Sequence, residues 1–151
     1  MSLGGVSDRD QLRPSSEWQM HADIYRVKPD ISAIVHCHSP YATILACARK
    51  SIPAMYYMEA AAGGREIPLA DYATFGSKAL AEAILQALSS TTACLLANHG
   101  QLSVATDLES ALTLAELVEE QAHCYWGTLA IGGPVLLDEV LTAFASYGQQ
   151  K

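Results

Sequence analysis

The chain has 151 residues, 50% hydrophobic and 17% charged, a composition that supports one folded domain with a sizeable core and excludes a disordered polymer. Its net charge of -7 offers no basic face to a nucleic acid, and no apolar run approaches the roughly 18 residues a membrane-crossing helix needs. The first ten residues lack the basic and apolar regions of a signal peptide, and four cysteines without CxxC spacing, set in apolar segments, read as reduced core thiols of a cytoplasmic protein.

In chain order, "RPSSEWQMHADIYRVKPD" predicts a short helix, with Ser16 and Gln19 spaced as a capping box and Pro29 ending the run. "AIVHCH" follows as a strand, and "SPYATILACARK" restarts as a helix with Ser39 as N-cap and Pro40 in its first turn. "IPAMYYM" predicts a strand, "EAAAGG" a turn, and "REIPLA" a short strand or extended loop. "FGSKALAEAILQALSS" is an amphipathic helix capped by Ser77. "TTACLLANHG" and "QLSVAT" read as two strands of a hairpin turning near "NHGQ". Thr106 and Glu109 have capping-box spacing, and Asp107–Ile131 reads as one long helix stopped by Gly132, Gly133 and Pro134. "DEVLTAFASYG" predicts a final short helix. Helices alternate loosely with short strands, so the expected fold is α/β with a mixed, largely antiparallel sheet covered by helices.

The chemistry concentrates at strand ends. His36 and His38, two apart on a strand, point to the same face about 6.5–7 Å apart along the chain and can converge on one cation, while Cys37 between them points away. About 0.16 His-x-His pairs arise by chance in a chain with 5 histidines, so the pair alone is weak. His99, at the end of the second apolar strand, strengthens it, because three histidines with one open position are the ligand set of a catalytic zinc. Gly100, next in the chain, permits close backbone approach. His21 and His123 fall within helices and read as structural. Glu17 reads either as an acidic residue favoured at a helix start or as an acid/base group, and Ser15 and Ser16 either as caps or as an anion site. Gly63 and Gly64 read as a turn.

Taken together, "PSSEW", "AIVHCHSPYAT", "SIPAMYYMEAAAGG", "IPLADYATFGS" and "LLANHG" resemble the class II aldolase/adducin family, most closely its L-fuculose-phosphate aldolase branch. The resemblance implies a three-layer α/β/α fold over residues 13–151, truncated at its N-terminus, with residues 1–12 an extension or a cloning remnant. It implies one zinc ion per subunit on His36, His38 and His99, Glu17 as catalytic acid/base, and Ser15 and Ser16 on the substrate phosphate. It further implies that Tyr57 acts on the departing aldehyde across the interface of a homotetramer. The implied reaction is retro-aldol cleavage of a ketose 1-phosphate into dihydroxyacetone phosphate and an aldehyde. Related epimerases carry aspartate where Glu17 stands. Epimerisation or dehydration on the same zinc site stays open at this point, as does an adducin-like or catalytically impaired truncated domain lacking part of the phosphate pocket.

Overall fold

Alternation along the two apolar strands decides the layering. The computed structural model describes residues 4, 14–55 and 65–136. The elements run α1 (Trp18–Val27), β1 (Ala33–Cys37), α2 (Pro40–Cys47), β2 (Ile52–Pro53), β3 (Glu66–Ile67), β4 (Leu69–Ala70), α3 (Lys78–Ala87), β5 (Ala93–Leu96), β6 (Gly100–Ala105) and α4 (Leu108–Ala130). The main sheet has the order β1-β6-β5-β4, antiparallel except for the parallel β4–β5 pair, and β2 and β3 form a separate antiparallel ribbon. Side chains on a strand alternate faces, so Cys94, Leu96, Leu102 and Val104 bury against α1 and α3 together with Met20, Ile24, Leu80 and Ile84. Ala93 and Leu95 bury on the other face with Leu45 and Ala46 of α2 and Leu114, Val118 and Ala122 of α4. The product is the expected three-layer α/β/α arrangement around a mixed sheet. No helix among the described residues is long and apolar enough to cross a membrane.

The polar residues of β6 follow the same alternation. Gln101 and Ser103 face α4 and are fully buried, and each donates to a carbonyl of that helix: Gln101 Nε2 to Ala115 O at 3.0 Å, Ser103 Oγ to Ala111 O at 2.8 Å. A buried polar side chain costs little when it finds such a partner, and here the partners also fix how α4 lies on the sheet.

Several local expectations are corrected. The Ser16–Gln19 capping box does not form: Glu17 occupies the N-cap of α1 with no side-chain cap bond, and the hydroxyl of Ser15 accepts from Glu17 N at 3.2 Å. Gln19 instead donates to Asp23 at 2.8 Å, one turn on. At α4 the cap is Asp107 rather than Thr106, because its carboxylate accepts from both the amide and the hydroxyl of Ser110, at 2.8 and 2.7 Å. Strand β2 is only two residues long, and the rest of the predicted "IPAMYYM" strand, the turn at Gly63 and Gly64 and the C-terminal helix lie outside the described residues. Only Cys94 is the buried thiol expected of all four cysteines, with burial pushing its pKa up to about 12; Cys47 and Cys124 are exposed and Cys37 half-buried. Other expectations hold. Ser77 caps α3 by accepting from Leu80 N at 3.1 Å, and Gly132 and Gly133 end α4 with φ of 112° and 95°, the second donating back to Thr128 O at 2.8 Å.

Leu95 has no exposed surface on the α2/α4 face, so Leu95→Ala is expected to lower unfolding free energy by about 2–5 kcal/mol. Ser77→Ala, which removes one cap, is expected to cost only about 1 kcal/mol. Denaturant titration of both variants checks the ranking.

Candidate metal centre

Strand β1 pairs with β6 in a register that sets His36 opposite Leu102 and Cys37 opposite Gln101. His36 therefore projects on the α1/α3 face, toward the start of α1, and Cys37 on the other. His38 follows the strand end, and His99 lies in the β5–β6 hairpin turn beside it. The three imidazole rings form a near-equilateral triangle, with centroids 5.0 Å apart for His36–His38 and 4.9 Å for both pairs involving His99. Glu17 enters from α1, its Oε2 lying 3.0 Å from His36 Nε2 and its Oε1 3.4 Å from His99 Nε2. One ligand atom from each of Glu17, His36, His38 and His99 lies within 4.8 Å of the others. Cys37 is absent from this group, as alternation requires.

The donor set fits a cation on its own chemistry. His36 Nδ1 lies 2.8 Å from the Gln101 carbonyl, which can only accept, so the proton of a neutral ring sits on Nδ1 and the lone pair on Nε2. That lone pair faces a carboxylate oxygen at 3.0 Å without hydrogen-bond alignment. Glu17 Oε1 and His36 Nε2 are both buried without a hydrogen-bond partner. Two converging acceptors repel each other, and a positive ion placed between them turns the repulsion into ligation. The pKa of His99 is lowered chiefly by burial; the Glu17 carboxylate opposes this and the His36 and His38 rings add to it. A lowered value keeps His99 neutral, the form that binds metal. His21, one turn along α1 from Glu17, is lowered likewise, chiefly by burial, with His36 adding and Glu17 opposing.

Two glycines and one asparagine bring these segments together. A Cβ on Gly100 would lie 2.5 Å from the Cys37 carbonyl oxygen and 2.8 Å from His38 Cδ2, so any larger residue would force the end of β1 away from the hairpin. A Cβ on Gly76, whose φ is +71°, would lie 2.6 Å from the Ser16 carbonyl oxygen; the loop before α3 thus presses on the backbone next to Glu17. Asn98 takes the left-handed conformation (φ 56°) at the hairpin turn, and its amide donates to Ala46 O at 3.0 Å, which ties the turn to the end of α2.

Of the residues singled out in the sequence, Glu17, His36, His38 and His99 are brought together. Ser15 and Ser16 adjoin them, exposed, and with Pro14 and Trp18 line a cavity of about 400 Å³ at the start of α1. Tyr57 lies outside the described residues. His123 is exposed and stacks on Tyr41, with ring centroids 3.9 Å apart, which matches its structural reading. Gln101 and Gly76 were not singled out. A glutamine inside an apolar strand is a signal for the first, whereas nothing local marks the second as a neighbour of Ser16, 60 residues earlier.

A family model described as the class II aldolase and adducin N-terminal domain matches residues 1–126. The chain is 44% identical to the 5-methylthioribulose-1-phosphate/5-deoxyribulose-1-phosphate aldolase of Rhodospirillum rubrum over 93% of its own length and 66% of that protein's. It is 47% identical to the L-fuculose phosphate aldolase of Escherichia coli over 89% of this chain and 66% of that one. It thus spans about two thirds of the length of these curated relatives. A solved L-fuculose 1-phosphate aldolase superposes with a TM-score of 0.89 at 40% identity, covering 96% of this chain and 70% of that one. With this fold, this converging Glu/His set and these relatives, the chain belongs to the class II aldolase/adducin family.

Proposed function

We propose that the chain carries a zinc-dependent aldehyde-lyase site that cleaves a ketose 1-phosphate into dihydroxyacetone phosphate and an aldehyde. The observation that carries this reading is the convergence of one carboxylate and three imidazoles, with Glu17 Oε1 and His36 Nε2 both buried and without a hydrogen-bond partner. Three histidine nitrogens suit zinc and leave its fourth position open, as a catalytic site requires, with the Glu17 carboxylate beside it. The names of the two curated relatives support the substrate class, since ribulose 1-phosphate derivatives and fuculose phosphate are both phosphorylated ketoses that differ in the part released as aldehyde.

His36, His38 and His99 would hold the ion, which supplies Lewis-acid polarisation of the ketose oxygens when bound. Glu17 is assigned the proton shuttle. Its carboxylate is largely shielded from solvent and lies beside the cluster, where it can exchange a proton with the carbon from which the aldehyde departs. Ser15 and Ser16, which line the adjoining cavity at the start of α1, would take the phosphate. Tyr57 is assigned, from the sequence, to the oxygen of the leaving aldehyde, where it would take up the hydroxyl proton as cleavage forms the carbonyl and return it in the condensation direction, contributed by a neighbouring subunit of a homotetramer.

The full chain is expected to hold one zinc ion per subunit by elemental analysis and to lose it on His36→Ala substitution. Glu17→Gln is expected to keep the zinc while release of dihydroxyacetone phosphate from L-fuculose 1-phosphate or 5-deoxyribulose 1-phosphate falls by at least about 100-fold. Conversion of either sugar phosphate to an isomer, with no triose phosphate released, would replace the lyase reading with an epimerase. Gly76→Ala, which must move the Ser16 backbone, is expected to raise KM for the sugar phosphate while leaving zinc content unchanged.

A further inference from the structure

Helix α2 begins two residues after His38, and its first amides must find acceptors outside the helix. Pro40 has no N–H, and Thr43 N donates to the Ser39 carbonyl at 2.9 Å. Tyr41 and Ala42 remain. Both donate to the carboxylate of Glu119 in the middle of α4, Tyr41 N to Oε1 at 2.9 Å and Ala42 N to Oε2 at 2.9 Å. Ser39 holds the N-cap position predicted for it, yet its hydroxyl accepts nothing from the helix. It donates to Glu119 Oε2 at 2.6 Å and accepts from Gln101 Nε2 at 2.8 Å. The carbonyl of that same Gln101 is the group on His36 Nδ1.

We infer that Glu119 is a positioning residue for the histidine cluster, fixing His38 through the β1–α2 junction and His36 through Ser39 and Gln101. The consequence for metal affinity rests on the zinc reading above. A carboxylate at the positive end of a helix, accepting two amide N–H groups and a hydroxyl, makes charge-assisted bonds stronger than those of a neutral cap. Without it two amides and the Ser39 hydroxyl lose their acceptor, water enters the first turn of α2, and the chain from Cys37 to Pro40 is no longer held. Gln101 then keeps its bond to Ala115 but loses the fixed hydroxyl at Ser39, so the strand end that presents its carbonyl to His36 loosens too. A ring held in one tautomer by its outer nitrogen is a better metal ligand than a rotating one, and loss of such a partner typically weakens metal binding about 10- to 100-fold. Glutamine at 119 would keep one oxygen and turn an amide NH2 toward a backbone N–H, so it restores the network in part.

The test uses the metal-free full chain first. The His36 Nδ1 proton, sheltered by the Gln101 carbonyl, gives a nitrogen-correlated proton NMR signal. Glu119→Ala is expected to lose that signal or speed its exchange with water at least about tenfold, with Glu119→Gln intermediate. Val118→Ala, which removes buried methyl groups one residue away without touching the network, is expected to leave it unchanged. In chelator competition, zinc affinity is expected to fall about 10-fold or more in Glu119→Ala and to stay at the wild-type value in Val118→Ala. An unaltered His36 signal in folded Glu119→Ala protein would overturn the inference, as would equal losses in Val118→Ala. If Glu119→Ala does not fold, Glu119→Gln decides by the same signal. Failure of the wild-type chain to bind zinc would sink the metal centre alone, because the His36 proton still reports on Glu119 without metal.

Discussion

The site depends on the close approach between the end of β1 and the beginning of β6. At Gly100 the Cys37 carbonyl oxygen occupies space that a Cβ would enter to within 2.5 Å, and this contact brings His38 alongside the hairpin that carries His99. The β1–β6 ladder and the β5–β6 hairpin supply the long-range geometry, and the missing side chain supplies the last ångström. A glycine in a strand normally weakens it by its backbone entropy and lack of packing. Here that loss is offset by register: with any other residue, the end of β1 and the hairpin turn that carries His99 could not lie side by side at this spacing.

Closeness has an electrostatic consequence. Three neutral imidazoles and one carboxylate give the cluster a formal charge of about −1, and the lone pairs of Glu17 Oε1 and His36 Nε2 are buried without hydrogen-bond partners. The fold tolerates this because the carboxylate stands at the start of α1, where the helix end is positive, and because the outer nitrogen of His36 is already bonded to a backbone carbonyl. A divalent cation would change the sign of the site to about +1, which suits an anionic sugar phosphate even on a chain whose net charge is -7. The overall acidity says nothing about this pocket, because a charge buried at the site is screened far less than charges spread over the surface.

The sequence made the architecture legible wherever local chemistry and tertiary contact agreed. Alternation in "AIVHC", "ACLL" and "GQLSVA" places the correct side chains on each face, and Ser77, Gly132 and Gly133 mark helix ends by their own residue types. The histidine cluster was readable because strand ends in a sheet meet in space. Reading failed where a distant partner competed with a local one. Ser16 looks like a cap, but Glu17 itself takes the N-cap of α1; Ser39 does hold the N-cap position of α2, but its hydroxyl donates to a carboxylate 80 residues further on. Thr106 gave way to Asp107 because the two oxygens of the charged carboxylate next door each accept a bond from Ser110, which a single hydroxyl cannot match. The cysteines misled for a simpler reason: apolar neighbours in sequence do not bury a residue that falls on the outer side of a helix, as Cys47 and Cys124 do.

Helix α2 shows how the fold converts these contacts into rigidity. Its N-terminus adjoins His38 and is latched by Glu119 from α4, while near its C-terminus the Ala46 carbonyl holds the amide of Asn98, one residue before His99. Asn98 is further steadied by the guanidinium of Arg49, whose Nε donates to its side-chain oxygen at 3.1 Å. The helix is eight residues, about 12 Å long, and its buried face (Ala42, Leu45, Ala46) packs on the sheet and α4. It therefore acts as a strut between two of the three histidine-bearing segments, fixed at both ends and along its length. Preorganised ligands must be held to roughly half an ångström. A strut seated in the core and closed by hydrogen bonds can meet that tolerance before any ion arrives, so that binding need not order the chain. The same arrangement explains why residues far from the chemistry matter to it: Glu119 and Asn98 touch none of the four converging atoms, yet they determine the two ends of the element that spaces them.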